Sequence, residues 1–110
     1  MTLLALLIIL TSTTLPEVVE QAAISQGLDP AIAARIVTLE SDWVVLAVGD
    51  NGESCGLMQF KAATWTEMVC QAGAPEWADP ANRFDPVKAA LVGCWGMANG
   101  YGSHWSTWQR

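Results

Sequence analysis

The sequence predicts a mainly α-helical domain of four to five helices, interrupted by one short irregular or β-hairpin-like insert. Three observations carry that expectation. Helix-start signals recur at Thr14-Leu15-Pro16, Asp29-Pro30 and Asp85-Pro86. Apolar residues follow at the three- and four-residue spacing of a helix face. That periodicity is lost from Ser41 to Ser54, where Val44, Val45, Leu46 and Val48 lead into Gly49-Asp50-Asn51-Gly52. With 110 residues, the chain has room for one hydrophobic core and not two.

Each element has a local reason. Thr14 suits the cap of a first helix, Pro16 its first turn, and Glu17 its positive end, while Gly27 stops it. Val18, Val19, Ala22, Ala23 and Ile24 give that helix an apolar side. A second helix runs over about 30–40, with Ile32, Ile36, Val37 and Leu39 as its apolar members. The tight-turn sequence Gly-Asp-Asn-Gly then closes a short extended arm, in the manner of a hairpin. A third helix is expected over about 62–71, a Gly-, Ala- and Pro-rich loop over 72–83, a long helix over about 86–98, and a short final turn at 105–108.

Composition excludes several classes of function. The chain is 52% hydrophobic and 15% charged, too apolar for a disordered tail. Eleven acidic groups against five basic ones give a net charge of −6 with no Lys/Arg cluster, so neither nucleic acid nor an anionic membrane surface is an expected partner. Six tryptophans stand out; each suits the core or a flat platform for a ring-shaped ligand. Cys55, Cys70 and Cys94 form no C-x-x-C pair and His104 is the one histidine, which argues against a zinc site. In an exported protein, three cysteines predict one disulfide and one free thiol; all three pairings are open, and Cys70–Cys94 is favoured because both fall on expected helices.

Residues 1–10 are apolar apart from Thr2, too short a run to span a bilayer. Residues 1–13 read as a signal-like leader, although no Lys or Arg precedes the apolar run; the alternative is an N-terminal helix packed on the domain, or the truncated start of a longer chain. The domain proper is taken as 14–110, expected as a monomer.

Glu40 is the residue that points to chemistry. It follows Ile36 by four positions and Val37 by three, so it projects from the apolar side of its helix, near the negative C-terminal end. Burial and the helix dipole both disfavour its charged form and favour a carboxyl able to donate a proton near neutral pH.

Glu40-Ser41-Asp42-Trp43, Val48-Gly49-Asp50-Asn51-Gly52, Gly56-Leu57-Met58-Gln59-Phe60 and Ala63-Thr64-Trp65 together resemble the core of the soluble lytic transglycosylase (SLT) family, of the goose-type branch of the lysozyme-like superfamily. Gly27-Leu28-Asp29-Pro30 and Phe84-Asp85-Pro86 sit where that family places similar residues, so the resemblance covers about 15–98. It implies a lysozyme-like fold that cleaves the β-1,4 link between N-acetylmuramic acid and N-acetylglucosamine in peptidoglycan, with no cofactor. It implies Glu40 as catalytic acid/base, Ser41 and Gln59 as helping to hold the glutamate or the sugar, Met58 as a further substrate-binding residue, and Gly56 as a point of close backbone approach to the glycan. The Ala-Tyr-Asn-Ala-Gly stretch usual in the family after the last long helix is only echoed by Asn99-Gly100-Tyr101, which makes Tyr101 the corresponding substrate-binding candidate. Asp50 and Glu53 are the candidates for a second carboxylate of the kind that orients water in hydrolysis; the chemistry of the tight turn Gly-Asp-Asn-Gly is the favoured account of them. His104 reads as a surface residue near the chain end, and Trp43 and Trp65 as core residues flanking the site. The alternatives are a hydrolytic lysozyme of the same fold and a non-catalytic wall-glycan-binding protein. A secreted, periplasmic, envelope or phage-delivered location is expected.

Overall fold

The computed structural model describes residues 14–105. The leader-like segment expected at 1–13 and most of the expected final turn lie outside the described residues.

Among the described residues, four α-helices and a small sheet succeed one another: α1 (Leu15–Ser25), α2 (Pro30–Ser41), β1 (Val48–Gly49), β2 (Ser54–Cys55), β3 (Phe60–Lys61), α3 (Ala62–Gln71) and α4 (Pro86–Ala98). The three start signals work as expected. Thr14 Oγ1 accepts from the Glu17 N–H at 3.3 Å, Asp29 Oδ1 from Ala31 at 2.9 Å, and Asp85 Oδ1 from Val87 and Lys88 at 3.0 and 3.1 Å. The arrangement is the mainly helical, small-sheet architecture of the lysozyme-like fold.

α4 is the central helix. Every residue from Ala89 to Met97 is buried, and α1 packs against both α4 and α2. Its glycines admit large neighbours: a Cβ on Gly93 would lie 2.0 Å from Met58 Sδ, and one on Gly96 2.7 Å from Met68 Sδ. Val19, Ile36, Val37, Leu57, Met58, Phe60, Trp65, Met68 and Leu91 complete the core. Among the described residues, no helix is long and apolar enough to cross a membrane.

The insert is an antiparallel three-stranded sheet in the order β1-β2-β3, pairing Val48 with Cys55 and Cys55 with Phe60. Two features differ from expectation. The arm at Val44–Ala47 is a turn rather than a strand, because Asp42 and Trp43 both have left-handed φ (52° and 65°) and send Val44 N–H back to the Ser41 carbonyl. The loop 72–83 contains two 3₁₀ turns, Pro75–Trp77 and Pro80–Phe84, the second capped by Asp79 at Ala81 N–H. Asp79-Pro80 is thus a fourth start signal of the same kind, ended after five residues by Asp85-Pro86, the next start.

The expected disulfide is absent: Cys55, Cys70 and Cys94 are all free thiols. Cys94 faces the core from α4, where burial pushes its pKa up to about 12, while Cys70 is exposed on α3. One thiol points inward and the other into solvent, so lying on neighbouring helices does not bring them together.

Candidate active site

A groove of about 420 Å³ runs between the end of α2 and the sheet. Glu40, Asp50, Ser54, Gln59, Lys61, Thr64, His104 and Trp105 line it. Glu40 is half-buried at the penultimate position of α2. Just beyond it the helix ends in a left-handed residue, Asp42, whose N–H bonds the Thr38 carbonyl.

Backbone strain is concentrated around this groove. Five non-glycine residues among those described have left-handed φ: Asp42, Trp43, Asp50, Asn51 and Gln59. All lie between Glu40 and the start of α3. Such conformations cost about 1–3 kcal/mol each and persist only where surrounding structure enforces them, a pattern typical of functional sites.

The segment Gly56–Phe60 braces the same region. Gly56 has φ +84° and passes so close to the Arg83 loop that a Cβ would lie 2.0 Å from the Arg83 carbonyl oxygen. Its N–H bonds the Ala47 carbonyl at 2.8 Å. Leu57 and Met58 are buried, Met58 against Gly93 of α4. Gln59 folds back, its Nε2 donating to the carbonyls of Ala47 at 3.0 Å and Gly56 at 2.9 Å. Its Oε1 occupies the space a side chain at Gly49 would need. Phe60 then anchors an aromatic floor, with ring centroids 5.0 Å from Trp65, 5.5 Å from Trp105 and 6.1 Å from His104.

Several sequence-predicted site residues are therefore braces. Ser41 is buried and donates to the Val37 carbonyl at 3.2 Å, back along its own helix. Met58 contributes its carbonyl, which accepts from Trp105 Nε1 at 2.9 Å and ties the C-terminal turn to the sheet. The close approach at Gly56 is to Arg83 of the same chain. Tyr101 packs on Trp95, 5.7 Å between centroids, and is not among the groove-lining residues. Glu53 lines a neighbouring concavity. Trp65 is fully buried, its Nε1 donating to the Trp77 carbonyl; Trp43 lines a different hollow, with Pro16, Glu20 and Ala34.

Asp50 does reach the groove, its Oδ2 accepting from Ser54 Oγ at 2.5 Å. His104 reaches it too, contrary to the surface role expected of it. Its ring stacks on Phe60 and meets Trp105 edge-on at 5.1 Å. Burial, and secondarily the Lys61 charge, hold its pKa below the ordinary 6.5, so the imidazole is neutral at neutral pH. The contacts that place His104 and Trp105 span more than forty residues, and no local pattern signals them. Lys61 was legible in principle, since Gln59-Phe60-Lys61 alternates polar, apolar and polar as a half-buried strand does.

A depressed histidine pKa makes stability depend on pH with a definite sign. As pH falls through about 6.5, the unfolded chain takes up the proton before the folded one, so folding stability drops until the folded-state pKa is passed. His104→Gln is expected to lose less thermal stability than the unsubstituted protein between about pH 7.5 and pH 5. Thermal unfolding across that range checks it; parallel curves would contradict the neutral, desolvated ring.

A helical body and a small antiparallel sheet with a groove between them make up the lysozyme-like fold class. Within that class, the family model of the transglycosylase SLT domain matches residues 17–109, and the chain belongs to that family. The family's general activity is lytic transglycosylation of peptidoglycan glycan strands. No curated protein and no solved structure gives a significant match.

Proposed function

We propose that this chain cleaves the β-1,4 bond between N-acetylmuramic acid and N-acetylglucosamine in peptidoglycan, with Glu40 as acid and then base. The observation that carries this reading is the placement of Glu40: half-buried, at a helix end, on the wall of an open groove whose strained rim is fixed by the sheet. The neutral carboxyl gives its proton to the glycosidic oxygen as the bond to muramyl C1 breaks. The resulting carboxylate faces the developing positive charge. It then takes the proton of the muramyl 6-hydroxyl, whose oxygen closes on C1 to form a 1,6-anhydro ring. Glu40 ends protonated and no water is consumed. Neutral His104 and the carboxylate of Asp50 line the same groove and contribute to the field in which this proton moves. The work is done at the cell wall.

One observation favours a second reading, hydrolysis. Asp50 is on the groove with a fixed carboxylate, as an acidic group that orients an attacking water would be. Mass analysis of fragments released from purified cell walls separates the two. Anhydromuramyl ends are expected; reducing ends would replace transglycosylation with hydrolysis, and an absence of fragments would remove both.

A further inference from the structure

Two cations beside the groove have no acidic partner among the described residues. The Arg83 guanidinium is held by backbone carbonyls: Nε donates to Pro80 at 2.8 Å, and Nη1 to Glu53 and Phe60 at 3.1 Å each. Carbonyl dipoles fix its position and leave its full charge in place. Lys61, exposed at the end of β3, forms no ion pair with any described carboxylate. That is notable in a chain with eleven acidic groups and five basic ones.

Both side chains line one concavity of about 320 Å³, together with Gly52, Glu53 and Ala62. The Glu53 carboxylate, on its rim, pairs with neither cation among the described contacts. The concavity adjoins the Glu40 groove, because Lys61 lines both. Helix α3 begins here: Lys61 is its N-cap and supplies no side-chain acceptor, whereas α1, α2 and α4 are capped by Thr14, Asp29 and Asp85. The positive end of α3 therefore adds to the field of the two side chains.

We propose that this concavity binds a carboxylate carried by the muramyl sugar while the glycan backbone lies in the Glu40 groove. The inference rests on the function proposed above. Two groups supply that chemistry: the lactyl carboxylate of a muramyl residue stripped of peptide, and the carboxylates of the attached peptide. Lys61 makes the direct contact, and Arg83 sets the potential from its fixed seat.

The test is binding to the non-cleaving Glu40→Gln protein of three glycans of equal length: a neutral N-acetylglucosamine oligomer, a peptide-stripped muramyl glycan, and a peptide-bearing one. At least one muramyl ligand is expected to bind about tenfold tighter than the neutral oligomer at low salt, with the preference falling as ionic strength rises. Adding Lys61→Gln, an exposed position whose change spares the core, is expected to bring that ratio close to one. Tight binding of the stripped glycan assigns the lactyl group; tight binding of the peptide-bearing glycan alone assigns the peptide. Equal affinity for all three, or a preference that survives Lys61→Gln, overturns the inference and leaves the proposed function standing. Failure of all three to bind overturns both.

Discussion

Glu40→Gln is expected to lower fragment release from purified cell walls by at least 10²- to 10⁴-fold, about the contribution of a positioned general acid, and to leave the fold intact. The carboxamide has the size of the carboxyl and fills the same half-buried place on the groove wall, but it has no proton to give and cannot become the base. Because the substitution preserves the shape of the side chain, the melting temperature is expected to stay close to the parent's. Turbidity loss of a cell-wall suspension and thermal unfolding, measured on the same preparation, check both halves. A variant that keeps most of its activity would remove Glu40 from the chemistry. A variant that is inactive because it is unfolded would assign the residue to the fold.

Gly56→Ala is expected to have the largest effect on stability, a loss of about 2–5 kcal/mol. Two costs combine. The backbone at φ +84° is left-handed, where a side chain is strained, and the new methyl would sit 2.0 Å from the Arg83 carbonyl oxygen. That oxygen is backbone and cannot swing aside, so the Arg83 loop or the sheet must move. Movement breaks the Gly56–Ala47 hydrogen bond and the seat of Gln59, hence the groove floor. Activity should fall along with the melting temperature, which should drop by ten degrees or more. A Gly56→Ala protein as stable as the parent would mean that the Arg83 loop is not held against the sheet. The prediction separates the role of the glycine from that of Glu40: one substitution lowers stability and activity together, the other activity alone.

What the sequence made legible was local. Thr14, Asp29 and Asp85 each announce a helix that begins at the next residue, and each cap bond, to an N–H two or three residues ahead, is present. Glu40 was legible because helical spacing puts it on the same side as Ile36 and Val37, and both of those are fully buried. The pairing of Glu-Ser with Gly-Leu-Met-Gln marked the site, while the physical duties of its residues came only from the three-dimensional arrangement. Gly56 meets Arg83, twenty-seven positions away in sequence. Met58 offers a carbonyl to Trp105 across forty-seven residues. Ser41, which reads as a residue holding the glutamate or the sugar, donates its hydroxyl to the Val37 carbonyl. Long-range packing also decides the histidine: His104 looks like a chain-end surface residue until Phe60 and Trp105 are seen to hold it over the groove. The disulfide expectation failed for a related reason, since helix proximity says nothing about which way a thiol on that helix points.

The structure of the Glu40→Gln protein with a bound muramyl–glucosaminyl oligosaccharide tests the central claim most directly. The strand should lie in the groove between Asp50 and His104, with one glycosidic oxygen about 2.6–3.2 Å from the carboxamide of residue 40. An oligosaccharide seated on another face, or one whose every bridging oxygen is out of reach of that side chain, would contradict it.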